Sequence, residues 1–332
     1  YEKFLTLYEK SPGAPYAQLM WSHCMVHLKK PKTAMRDGFQ SVIDYWPESR
    51  ESTLAAYCMA DAYRRMGEVK NATRAFRFII DEHPETELAL RSTKELLHYA
   101  RLHKDQKQVV EILTKLTYEW NRTEVTNGAC VEASRELATM HFFKQEFADG
   151  RKALATSYAD EKLVQIVFDF TVKTMQHLLK EDAKRSAALK LGEQLLAQLR
   201  KDSIEKPEQA KALLYRACDI HAILGRPSDV WRLYNEIAER WGRDDGVLGK
   251  MAQWCLSRDK RDLAVALYNE FANVVAGQEA IAALLVSEGK LKEAIALYEK
   301  LIDINGENAA SYQGTIAGLY EKMSEWRKAI LM

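Results

Sequence analysis

Apolar residues recur along this chain at the spacing of one helix face, and they come in paired blocks. One block ends with Ala60 and Tyr63, and the next runs Ala72, Phe76, Ile79. Gly67 separates the two and Pro84 closes the second. This pattern predicts two antiparallel helices joined by a short turn. Ala60 and Ala72 let the helices approach closely, Tyr63 and Phe76 fill the space beside them, and Gly67 gives the turn its permissive backbone. Pro84 stops the second helix.

The block pair repeats. Aligned on tyrosine, Leu233-Tyr234-Asn235-Glu236, Leu267-Tyr268-Asn269-Glu270 and Leu297-Tyr298-Glu299-Lys300 are separated by steps of 34 and 30 residues. Val230, Ala264 or Ala294 stands four residues before each tyrosine, and Gly225, Asp259 or Gly289 five before that. Looser copies are marked by Leu19, Phe39, Val42 and Pro47; by Thr93, Leu96, Leu97, Val109, Leu113 and Leu116; and by Leu137, Ala138, Phe147, Gly150 and Leu154. Residues 161–201 give a stretched pair of longer helices around Lys180-Glu181-Asp182. Further units begin near Lys211, Asp245, Val275 and Ala310.

A unit of about this length, with small residues, aromatics, a turn glycine and a closing proline in fixed register, is the signature of a helical repeat array. The sequence resembles the tetratricopeptide repeat, most completely at 53–84 and more loosely over essentially the whole chain. The resemblance implies an all-α, right-handed superhelical solenoid of about eight to ten antiparallel helix pairs without β-sheet. In it the first helix of each pair lines a concave groove. The segments Phe4 to Pro12, Phe39 to Ser49 and Phe76 to Thr86 share an aromatic, two apolar residues, an aromatic or His, Pro and a hydroxylic residue. Over roughly 1–95 this looks like the repeats of bacterial outer-membrane assembly lipoproteins and envelope cell-division coordinators.

The prolines agree with the division. Pro12, Pro47 and Pro84 close second helices, Pro15 sits at a helix start, and Pro31 and Pro227 are expected in turns within units. Pro207 follows an expected linker, Lys201 to Lys206. Three parts result: an array at 1–160, a degenerate long helix pair and linker at 161–206, and a second array at 207–332. Tyr1 to Pro12 reads as a lone second helix with Phe4 and Leu7 inward, and the last unit stops at Met332 just after Trp326 and Ala329. Solenoids need polar terminal repeats, so a longer parent protein is expected.

Composition narrows the function. The 47% hydrophobic and 29% charged content is that of a folded chain and too apolar for disorder. With 48 basic and 47 acidic residues the formal charge is +1, which argues against nucleic acid or an anionic membrane as partner. No apolar run is long enough to span a bilayer. The cysteines Cys24, Cys58, Cys130, Cys218 and Cys255 are scattered and odd in number, so neither a disulfide framework nor a zinc ribbon is expected. The compartment stays open between cytoplasm and bacterial envelope.

Candidate chemistry is sparse. His23 and His27 share a helix face, a spacing that can bind zinc, but Cys24 stands where a metalloprotease has Glu and no third ligand is evident. The sequons at Asn71 and Asn121 arise commonly by chance. No phosphate-cradling loop or nucleophile elbow occurs, so no cofactor, metal or catalytic residue is assigned. Repeats that clamp the acidic tails of heat-shock chaperones carry Lys and Asn at two first-helix places. Here Tyr57 and Asp61, Tyr215 and Asp219, and Gly249 and Gln253 stand there, which excludes that mode. The recurring Tyr–Asp pair, with Arg64, Arg65, Arg216 and Gln253, is the candidate groove surface for a protein or peptide partner; ordinary charge pairing is the competing account. The expected function is a non-catalytic interaction scaffold. The alternatives are the recognition arm of a larger enzyme or regulator, and a self-assembling structural protein.

Overall fold

The computed structural model describes residues 1–331 except Glu85, and the side chain of Glu161 is also outside the description. The Glu85 and Met332 positions of the expected repeats therefore lie outside the described residues. The described chain forms 19 helices and no strand. Contacts divide it into two units, one ending at Leu191 and the other beginning at Gly192.

In the first unit α1 (Glu2–Leu7) precedes α2 (Ala14–His27) and α3 (31–45). Then come α4 (Arg50–Arg65), α5 (Val69–Glu82), α6 (Glu87–Leu102) and α7 (Gln106–Tyr118). They are followed by α8 (Asn127–Phe143), α9 (Phe147–Ala155) and α10 (Asp160–Leu178). The division between units falls inside α11 (Arg185–Glu205). The second unit continues with α12 (Ala210–Ile223), α13 (Pro227–Trp241), α14 (Asp245–Leu256) and α15 (Arg261–Asn269). It ends with α16 (Val274–Ser287), α17 (Leu291–Ile304), α18 (Ala309–Lys322) and α19 (Trp326–Leu331). Each unit is an all-α solenoid stack of tetratricopeptide-like type, in which helices pack on their neighbours in sequence.

One turn is reused eight times. Lys29, Gly67, Lys104, Gln145, Gly225, Asp259, Gly289 and Ser324 each hold a positive φ between 56° and 75°. In every case the N–H of that residue donates to the carbonyl three back, and the next N–H to the carbonyl five earlier, as Gly67 to Arg64 and Glu68 to Tyr63. This is the Schellman closure, which satisfies two carbonyls that a helix end leaves open. Only the long pair α10/α11 departs from it, joining through a 3-10 turn at Asp182–Lys184.

Five residues beyond seven of these turns stands a small side chain at the closest approach of the pair: Ala34, Ala72, Val109, Gly150, Val230, Ala264 and Ala294 are all buried, whereas Ala329, beyond the eighth, is half-buried. At Gly150 even a methyl group is too large, since a Cβ there would lie 2.5 Å from the Phe142 ring. Four residues further the large core residue follows: Phe76, Leu113, Leu154, Tyr234 and Tyr268 are all buried. In α3 that place falls on Gly38, whose Cβ would meet Ser22 Oγ at 2.3 Å. The helix widens to a π-turn over Ala34–Phe39. The extra residue carries Phe39, 1% exposed, into the core instead.

First helices are capped by short polar side chains. Ser49, Thr86, Asp244 and Asn273 each accept a hydrogen bond from the N–H three residues on, which satisfies an otherwise open donor.

Four expectations are corrected. Pro31 and Pro227 are the first residues of α3 and α13 rather than turn residues, where the missing N–H costs nothing. Residues 201–205, expected as a linker, are the last turn of α11, where Asp202 and Ser203 are buried. Pro207 opens a 3-10 turn just beyond. In α1, Leu7 is 71% exposed and Phe4 lies at the surface. A six-residue helix has room to bury only one stripe. Leu5 is the one half-buried residue of the helix, and Trp21 Nε1 donates to Glu2 Oε1 at 2.9 Å beside it.

Candidate partner-binding surface

Both Tyr–Asp pairs stand ten and six residues before a left-handed turn glycine, Gly67 or Gly225. The fold thus gives them equivalent places on α4 and α12. What surrounds them differs.

On α4, Tyr57 is half-buried and its ring meets that of Phe76 at 5.9 Å. Burial pushes its phenol up, helped by Glu95 and Asp61. Asp61 is held by its own helix. Arg64 donates to Oδ1 at 2.5 and 2.9 Å, and Arg65 to Oδ2 at 2.6 Å. Arg64 also reaches Glu95 of α6 at 4.0 Å. One repeat later Arg101 and Glu136 stand in the same register and pair at 2.5 Å. The first-helix face of this unit is a ladder of neutralised charges. The competing account, charge pairing within and between helices, describes Asp61, Arg64 and Arg65. Exposed pairs of this kind contribute little to stability.

On α12 the arrangement is more open. Tyr215 is half-buried, its ring lies 6.1 Å from Tyr234, and Lys250 Nζ of α14 sits 4.0 Å over its centroid. A cation over an aromatic face is attracted by the ring quadrupole. Burial pushes the Tyr215 phenol up, with Asp244 and Cys218 adding to it. Asp219 is exposed by area, yet surrounding protein pushes its carboxyl up against the pull of Lys250 and Arg216. Gln253, also exposed, stands on α14 at the place Asp219 holds on α12. Arg216 is half-buried beside them.

Sequence reasoning missed Lys250, Glu95 and the Arg101–Glu136 pair. Glu95, Glu136, Arg216 and Lys250 all stand nine residues before a left-handed turn residue. That register was hidden because the turn residue is glycine in only three of the eight turns. An aromatic seam packs between repeats as well. Trp231 and Trp254 stack at 5.6 Å and 27°, and Trp254 meets Tyr234 at 6.5 Å.

Two depressions lie elsewhere. One of about 410 Å³ opens between α3 and α5 over Met59 and Tyr63 of α4. Another of about 430 Å³ opens between α11 and α13 over α12. Each sits where successive second helices diverge above a first helix, and none of the eight candidate residues lines either. His23 and His27 gather no third ligand among the described residues. His23 Nε2 instead faces Cys58 Sγ at 3.6 Å. Burial lowers the His23 imidazole and raises the Cys58 thiol to about 11.

No protein-family model matches the chain, and no curated protein matches it. Solved structures match at low identity. A tetratricopeptide repeat protein from Parabacteroides merdae is 10% identical at TM-score 0.31, over 79% of this chain and 95% of that one. The Cut9–Hcn1 hetero-tetramer of the APC/C gives 9% and 0.31, over 95% and 85%. The P58(IPK) TPR domain gives 14% and 0.27, over 96% and 90%. No helix among the described residues is long and apolar enough to cross a membrane.

Proposed function

We propose that this chain is a non-catalytic protein-interaction scaffold that holds a peptide or a partner helix against its first-helix face. The observation that carries the reading is the open polar surface of α12 and α14, where Tyr215, Asp219, Lys250 and Gln253 present an aromatic ring, an acid, a base and an amide side by side. Those are the groups that hold a main chain and fix its register, while aromatic rings and cations supply the anchors. The ladder on α4 and α6 is the more neutralised counterpart.

Thiol chemistry is disfavoured at Cys58, Cys130, Cys218 and Cys255. Burial raises Cys218 to about 12 and Cys58 to about 11, and it raises Cys130 and Cys255 as well. These sulfurs stay protonated near neutral pH and are poor nucleophiles.

The test is site-specific photo-crosslinking in cells with the complete protein. A photoreactive residue at Gln253 is expected to capture one or a few partners. The same probe at Glu239, exposed on α13, is expected to capture none of them. Equal capture at both positions would sink the surface assignment. Turnover of a substrate by the purified chain would sink the non-catalytic reading.

A further inference from the structure

The turn between α8 and α9 gathers a donor set not repeated among the described residues. His141, Glu146 and Asp149 place one ligand atom each within 4.8 Å of one another, the one such group of three among the described residues. The Schellman closure brings them together. Glu146 N–H donates to the His141 carbonyl at 2.9 Å, which sets the two side chains next to each other. Asp149 lies one turn along α9 on the same face as Glu146. His141 Nδ1 lies 2.7 Å from Glu146 Oε2.

The same backbone carries a contrasting set at the turn between α12 and α13. There His221 and Asp229 hold the places of His141 and Asp149, and Arg226 stands where Glu146 does. Arg226 pairs with Glu193, and Arg232 with Asp229 at 2.9 Å, so protein cations supply the positive charge. At the first turn nothing equivalent does. Among the described residues neither Glu146 nor Asp149 pairs with Lys or Arg. The nearby Lys152 lies over the Tyr118 ring at 5.6 Å. Among the described residues Glu146 thus has only the His141 imidazole as a possible cationic partner, and Asp149 has none.

We propose that His141, Glu146 and Asp149 bind a borderline divalent cation of the zinc class, which clips α8 to α9 across their turn. One imidazole nitrogen and two carboxylate oxygens are a three-ligand zinc set that leaves a position for water. The imidazole selects against calcium and magnesium, which take oxygen donors. Sequence spacing hides the set because its members straddle a turn whose left-handed residue is Gln145 rather than glycine.

Competition between the full chain and a zinc-binding chromophore tests this. One Zn²⁺ per chain is expected. His141→Ala and the isosteric Glu146→Gln are each expected to weaken it by roughly tenfold or more, with circular dichroism unchanged. His27→Ala is expected to leave it unaltered. Co²⁺ in its place is expected to show no thiolate charge-transfer band. Unchanged affinity in both turn variants, a thiolate band that places the metal at a cysteine, or displacement by equimolar Ca²⁺ would each overturn the proposal.

Discussion

At the scale of the residue, the left-handed turn position carries the most information. Gly67, Gly225 and Gly289 adopt it freely, whereas Lys29, Lys104, Gln145, Asp259 and Ser324 adopt it against the clash of their own Cβ. That clash costs about 1–2 kcal/mol in a side chain with a Cβ. Glycine gives back about 0.5–1 kcal/mol of it in backbone entropy. Lys104→Gly is therefore expected to stabilise the chain slightly, by up to about 1 kcal/mol. Gly67→Ala is expected to destabilise it by about 1 kcal/mol. Space is not the issue at Gly67, since a Cβ there would meet nothing within 4 Å. Paired thermal melts check both signs. The same position explains why the repeat was only partly legible: glycine marks three turns in the sequence, but the other five share the backbone without the letter.

At the scale of the element, α3 shows how a helix absorbs a misplaced letter. Its core aromatic is one residue late, and the π-turn over Ala34–Phe39 takes up the difference. Deleting exposed Arg36 is expected to restore regular winding and keep Phe39 buried, with a small change in melting temperature. Deleting exposed Arg74 from α5 has the opposite consequence. It rotates Phe76 and Ile79, both 0% exposed, out of register and is expected to cost about 3–5 kcal/mol. If both deletions melt alike, the π-turn is not an insertion. The elements also explain the proline corrections: a proline in the chain marks a turn or a helix start equally well, and only the backbone shows which.

At the scale of the whole molecule, stability follows from neighbours. In a stack of repeats each pair leans chiefly on the next, and contacts divide this chain at residues 191 and 192. Phe76→Ala is expected to lower hydrogen-exchange protection in α4 to α7 and leave α14 to α19 unchanged. Uniform loss across both units would show a single cooperative molecule instead. The near-zero net charge bears on function at this scale. The proposed recognition rests on local surfaces such as the one around Tyr215 and Lys250, because the chain as a whole has little field with which to steer a partner.

The sequence by itself determined most of the helices, their pairing and, outside α1, the face each one buries. Those follow from residues close along the chain: a small residue, an aromatic and a turn repeat at fixed steps, and local sterics do the rest. It also placed Tyr57, Asp61, Tyr215 and Asp219 on equivalent first-helix positions. Only the tertiary structure decided what those residues meet. Asp61 is bound by arginines of its own helix, whereas Asp219 faces a lysine from the next first helix. It alone gathered His141, Glu146 and Asp149 and showed depressions opening over first helices between successive second helices. Contacts between repeats depend on which rows of side chains come into register across helices, and no spacing along one helix records that.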